Sequence, residues 1–167
     1  MMTVTYPDFS DKMPELNTTI YTSSPEETEQ AGKELAQKLL CGESLPRFIA
    51  LFGDLGVGKT AFVRGFTSVF APNARVKSPT FALVNEYKDK SNGLPAVFHF
   101  DMYRITDEDE LYSIGFYDYL DRNGICLVEW SENIPFALPE SYLRIEIIKD
   151  NENDVDSRLI TLSPIGY

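Results

Sequence analysis

The sequence predicts an α/β fold of three layers with a mixed, mostly parallel central sheet, and three observations point to it. Phe48–Phe52 and Ile125–Glu129 are strand-length runs, almost wholly apolar, as in strands buried on both faces. Segments with apolar residues at helical spacing alternate with strand-like runs, which indicates helices layered on a sheet. Tyr142–Lys149 and Ser157–Leu162 form a late strand pair joined by the acidic turn Asp150–Asp156, which makes the sheet mixed.

The elements follow in order. Thr19–Thr22 reads as a short first strand. In Ser24-Pro25-Glu26-Glu27, Ser24 suits the N-cap of a helix, Pro25 its first position, and Glu27 closes a capping box. Ala31, Leu35, Leu39 and Leu40 recur at helical spacing as far as Gly42. The strand Phe48–Phe52 leads into a glycine-rich segment. A helix follows, with Phe62, Val63, Phe66, Val69 and Phe70 on one side, and Pro72-Asn73 ends it. Ala82–Tyr87 and Ala96–Tyr103 are expected strands, separated by the turn-rich stretch Lys88–Pro95. Thr106–Leu120 is expected to be helical with a break at Gly115, and Thr106 with Asp109 makes a second capping box.

Composition narrows the function. The 167 residues suit one domain, 1–167, opened by a polar arm over 1–18. No apolar run approaches the roughly 20 residues that cross a bilayer, and the N-terminus lacks a secretory pattern. No membrane association is expected, and Cys41 and Cys126 are too few for a disulfide framework or zinc cluster. Both read as reduced thiols in a cytoplasmic protein. A net charge of −11 with no dense Lys/Arg cluster argues against tight, unaided nucleic-acid binding.

Gly53-Asp54-Leu55-Gly56-Val57-Gly58-Lys59-Thr60 matches G-x-x-x-x-G-K-[ST] in full. The glycines let successive N–H groups turn inward on phosphate oxygens, and the helix that follows aims its positive end at the anion. Lys59 supplies a point charge for the β- and γ-phosphates, and Thr60 a hydroxyl for magnesium. The nucleotide-contacting stretch is Asp54, Leu55, Gly56, Val57, Gly58, Lys59, Thr60 and Ala61. A random chain of this length meets the pattern well under roughly 1% of the time. The strand before it and the amphipathic helix after it fit a P-loop NTPase, so the expected ligands are a nucleotide and Mg2+. The guanine signal N-K-x-D is missing, and Asp121-Arg122-Asn123-Gly124 reads as a turn before a strand. ATP and ADP are therefore preferred.

Such a cradle needs a carboxylate at a neighbouring strand end. Glu129 closes an apolar strand and either serves the metal or marks the strand's exit into solvent. Asp101 is a second candidate, on a strand where Phe98, Phe100 and Met102 suit a core face and His99, Asp101 and Tyr103 share the other. His99 by itself reads as a packing histidine. Trp130, the sole tryptophan, could stack on a purine or fill the core. Ser78-Pro79-Thr80-Phe81 could sense the γ-phosphate as a switch, with Ser78 and Thr80 as its polar groups, or simply turn into the next strand. Arg104, beside Tyr103, could reach a phosphate or remain solvated.

Taken in order, the P-loop, Ser78-Pro79-Thr80-Phe81, His99-Phe100-Asp101-Met102-Tyr103-Arg104 and Leu127-Val128-Glu129-Trp130 resemble the bacterial TsaE (YjeE) ATPase family. The resemblance runs from about Ser24 to about Arg144. It implies an ATPase, weak alone, that is required for threonylcarbamoyladenosine in tRNA and resets the TsaD–TsaB complex between catalytic rounds. It further implies that Lys59 and Thr60 bind phosphate and magnesium, that Asp101 and Glu129 serve the metal and hydrolysis, and that Trp130 stacks on adenine. Contact with tRNA would run through the partners. Ala61 departs from the family, which often carries a second threonine there. A small-molecule kinase or a non-hydrolysing nucleotide switch are the alternatives on the same core.

Overall fold

The computed structural model describes residues 17–42 and 47–166, so the polar arm expected over 1–18 lies outside them except at Asn17 and Thr18. Thr18 already belongs to the first strand, β1 (Thr18–Thr22). The other strands are β2 (Phe48–Phe52), β3 (Val84–Tyr87), β4 (Ala96–Asp101), β5 (Gly124–Glu129), β6 (Tyr142–Lys149) and β7 (Arg158–Ile165). They join one sheet in the order β1-β7-β6-β2-β5-β4-β3. The four central strands β4, β5, β2 and β6 are parallel to one another. β3 is antiparallel to β4, and β7 is antiparallel to both β6 and β1. The mixed α/β sheet predicted from the sequence is therefore present.

Each face of the sheet is covered, which explains why its central strands read as unbroken apolar runs. On one face Ile49, Leu51, Val97, Leu127 and Ile145 pack against helices α1 (Pro25–Cys41) and α2 (Lys59–Phe70), through Leu35, Phe62, Val63 and Phe66. On the other, Ala50, Phe98, Phe100 and Val128 meet Leu111, Phe116 and Ile134, which come from α3 (Glu108–Ser113), α4 (Phe116–Asp121) and the turns beyond β5. The helices α1 and α2 approach so closely that a Cβ on Gly65 would lie 1.7 Å from the Glu29 carbonyl oxygen. Only glycine fits there, and the contact fixes α2, whose first turn carries Lys59 and Thr60.

Local signals account for the boundaries. Ser24 Oγ accepts from Glu27 N at 3.1 Å, and the Glu27 carboxylate accepts from Ser23 N at 2.6 Å. The second cap lies one residue later than expected: Asp107, not Thr106, caps α3 and accepts from Glu110 N at 3.0 Å. Glu110, not Asp109, reaches back to Thr106 N. Gly115, at φ 71°, breaks the segment into α3 and α4. β3 starts only at Val84 because Leu83 sits at φ 65°, outside extended backbone. β4 ends at Asp101, two residues before the expected Tyr103, which is exposed; both faces of β4 are buried, so the alternation in Phe98–Asp101 separates two packed faces and not core from solvent.

Candidate nucleotide and metal site

The loop between β2 and α2 curls through Gly53, Gly56 and Gly58 at φ 141°, 77° and 109°. Gly58 is the N-cap of α2 in the left-handed region and offers no side chain to cap the first turn. The free N–H groups of that turn are thus available to an anion. Lys59 is buried; its Nζ donates to the Gly53 carbonyl and, at 2.8 Å, to the Asp54 carbonyl. Burial lowers the lysine pKa below its usual 10.5, while the Glu129, Glu132, Asp101 and Asp54 carboxylates pull it back up. The lysine is thus turned onto its own loop. Val57 anchors the loop in the core, whereas Leu55 projects outward at 76% exposure.

The strand order explains the carboxylates. β5 lies beside β2 and β4 beside β5, all parallel, so their C-terminal ends open on the loop. Glu129 pairs in register with Leu51 on one side and Asp101 on the other. Thr60 Oγ1 donates to Glu129 Oε1 at 3.0 Å, with Oε2 at 3.4 Å. His99, fully buried, places Nε2 2.7 Å from the same Oε1. Asp101 is held differently: it accepts from Ser78 Oγ at 2.9 Å and from Tyr103 N at 3.0 Å. Ser78 Oγ also lies 3.2 Å from Thr80 Oγ1. The segment 78–80 is thereby tied to the site through Asp101.

Trp130 does not stand apart from the phosphate end. Its ring centre lies 4.0 Å from Lys59 Nζ and 4.9 Å from the Tyr103 ring. The residue sits at φ 59°, a strained left-handed conformation that directs the indole onto the lysine. The indole thus lies over the motif lysine, within reach of whatever group Lys59 holds. Arg104 is exposed and stacks 5.1 Å over the Phe81 ring. Ala61 is partly exposed in the first turn of α2 and supplies no hydroxyl.

Two neighbours carried no sequence signal. Glu132 accepts from Gly53 N at 3.4 Å. Arg158, at the start of β7, donates from Nε to the Val57 carbonyl at 2.7 Å and from Nη1 to the Val155 carbonyl at 2.6 Å. It braces the loop against the β6–β7 turn. No spacing rule links either residue to the motif, since sheet order alone brings β7 and the turn after β5 to the loop. The thiol of Cys126, buried in β5, is pushed up to about 12 and stays inert.

The donor set suits magnesium: a threonine hydroxyl and two carboxylates, all hard oxygens. Among the described residues no cluster of three His, Cys, Asp or Glu could hold a metal unaided.

A parallel sheet with this loop at a strand end, a lysine and threonine opening the next helix, and acids on the adjoining strands define a P-loop nucleotide-binding fold. The model of the TsaE family, described as threonylcarbamoyl adenosine biosynthesis protein TsaE, matches residues 22–160, and the chain belongs to that family. The tRNA threonylcarbamoyladenosine biosynthesis protein TsaE of Bacillus subtilis is 38% identical over 145 residues, covering 87% of this chain and 84% of the relative. Its namesake in Haemophilus influenzae is 39% identical over 117 residues, 70% of this chain and 72% of that one. A crystal structure of Bacillus subtilis YdiB superimposes with a TM-score of 0.69 at 31% identity, over 90% of this chain and 86% of that one. No helix among the described residues is long and apolar enough to cross a membrane.

Proposed function

We propose that the protein binds ATP with magnesium in this site and hydrolyses it, slowly alone and faster with TsaD and TsaB, to reset their complex between rounds of tRNA modification. The observation that carries the reading is the contact between Thr60 Oγ1 and Glu129 Oε1 at 3.0 Å, which joins the phosphate loop to a neighbouring strand end. On nucleotide binding Lys59 leaves its two carbonyl acceptors for the β- and γ-phosphates. Thr60 and Glu129 hold magnesium, directly or through water. Asp101 completes that shell or orients the attacking water, with Ser78 and Tyr103 fixing its carboxylate. Magnesium held by Thr60 and Glu129 would supply charge neutralisation for the triphosphate.

The side-chain placement favours Glu129 for the metal, since it alone of the two touches Thr60 in this structure. Trp130 and Tyr103 cover the phosphate end and exclude water from it. Through Asp101, the segment from Ser78 to Thr80 responds to what occupies the site. Partners contribute the tRNA contacts, consistent with the charge of −11. Phosphate release from ATP, measured with and without TsaB–TsaD, together with co-purification of the three proteins, tests the reading. ATP binding without phosphate release in both cases would favour a non-hydrolysing switch.

A further inference from the structure

We propose that His99 is a positioning residue for magnesium use, holding Glu129 in the orientation that meets Thr60; the inference rests on Glu129 serving the metal. His99 lies in β4 opposite Leu127, and Asp101 is opposite Glu129, so His99 is the diagonal neighbour of Glu129 on the same face of the sheet. From there its ring reaches Glu129 Oε1 at 2.7 Å, the oxygen that also accepts from Thr60 at 3.0 Å. Two donors from two elements, β4 and α2, fix one carboxylate oxygen. Oε2 keeps only a 3.4 Å contact with Thr60. A second donor of this kind selects the rotamer of a ligating group and leaves its other oxygen for the ion.

The other ring nitrogen sharpens the point. Nδ1 is buried without a hydrogen-bond partner. A carboxylate accepts, so Nε2 donates to Glu129, while Nδ1 meets no partner of either kind. Among the described residues the ring's one hydrogen bond is to Glu129. For packing alone, an apolar side chain would serve β4 better than an imidazole whose second nitrogen is unsatisfied. The tilted Tyr87 ring, with its centre 6.4 Å away, holds the imidazole in place.

The test compares His99→Leu, His99→Gln and Glu129→Gln by calorimetric ATP binding across a magnesium series, with thermal unfolding alongside. Leucine keeps the volume and removes the donor; the glutamine amide can stand where Nε2 stood. His99→Leu is expected to melt at or above the parent temperature yet need about tenfold more magnesium for half-maximal binding. His99→Gln should bring the requirement most of the way back to the parent's, and Glu129→Gln should raise it at least as far as His99→Leu. Should His99→Leu fail to fold, His99→Met takes its place under the same expectations. A parent-like magnesium requirement in the apolar variant, beside a raised one in Glu129→Gln, overturns the role of His99 alone. A parent-like requirement in Glu129→Gln overturns the metal reading and this inference with it.

Discussion

Replacing Lys59 by alanine removes the motif's ammonium from the cradle while leaving its backbone donors. The ammonium has two carbonyl acceptors and lies over Trp130. Binding ATP therefore exchanges these for charged phosphate oxygens, and the net gain is that of one hydrogen bond between charged groups. That is worth about 1.5–3 kcal/mol, so Kd for Mg–ATP should rise about 10- to 150-fold. Calorimetric titration near neutral pH measures it. The free variant should remain folded, and stability against pH supplies a second check. Burial lowers the Lys59 pKa below 10.5, so between its folded value and 10.5 the unfolded chain binds more protons. The lysine costs stability at neutral pH, and that cost fades as pH climbs through the window. Parent stability should thus gain on the alanine variant as pH approaches 10.5. A Kd within twofold of the parent would refute the assignment of Lys59 to the phosphates.

Three further outcomes follow from the same geometry. Magnesium with inorganic triphosphate alone should alter the emission of Trp130, the only tryptophan, because its ring sits on Lys59; a response confined to adenine-bearing ligands would return it to the base. Gly65→Ala drives a Cβ to 1.7 Å from the Glu29 carbonyl oxygen and should cost about 1–3 kcal/mol, or about 2–12 °C in melting temperature; an unchanged melting curve would mean that α1 and α2 part freely. The isolated protein, at net charge −11, should show no appreciable tRNA affinity at about 0.15 M salt in a filter-binding assay, and retention there would reveal a basic surface the sequence does not suggest.

The phosphate loop was legible in the sequence because its chemistry demands fixed residue types at fixed spacing. The central strands were legible because burial on both faces leaves an apolar run. The cap at Ser24 stood out for a similar reason: Pro25 and Glu27 reinforce one reading. The cap of α3 was misplaced because Thr106, Asp107, Asp109 and Glu110 offer several equivalent registers, and only packing chooses Asp107. What spacing cannot carry is the set of contacts made by sheet order. His99 reads as core until β4 is laid beside β5, where it meets Glu129. Arg158 and Glu132 reach the loop from 101 and 79 positions away. Trp130 follows Glu129 immediately, yet a positive φ decides which way its ring faces.

The central claim, ATP turnover that resets a modifying complex, is tested most directly by counting rounds. Threonylcarbamoyladenosine formed on tRNA would be measured per TsaD–TsaB complex, with the parent protein or with its Glu129→Gln variant, at saturating Mg–ATP. The parent should carry the complex through many rounds, whereas the variant, which still binds ATP, should stop it after about one. Continued rounds with the variant, at the parent's rate, would contradict the claim.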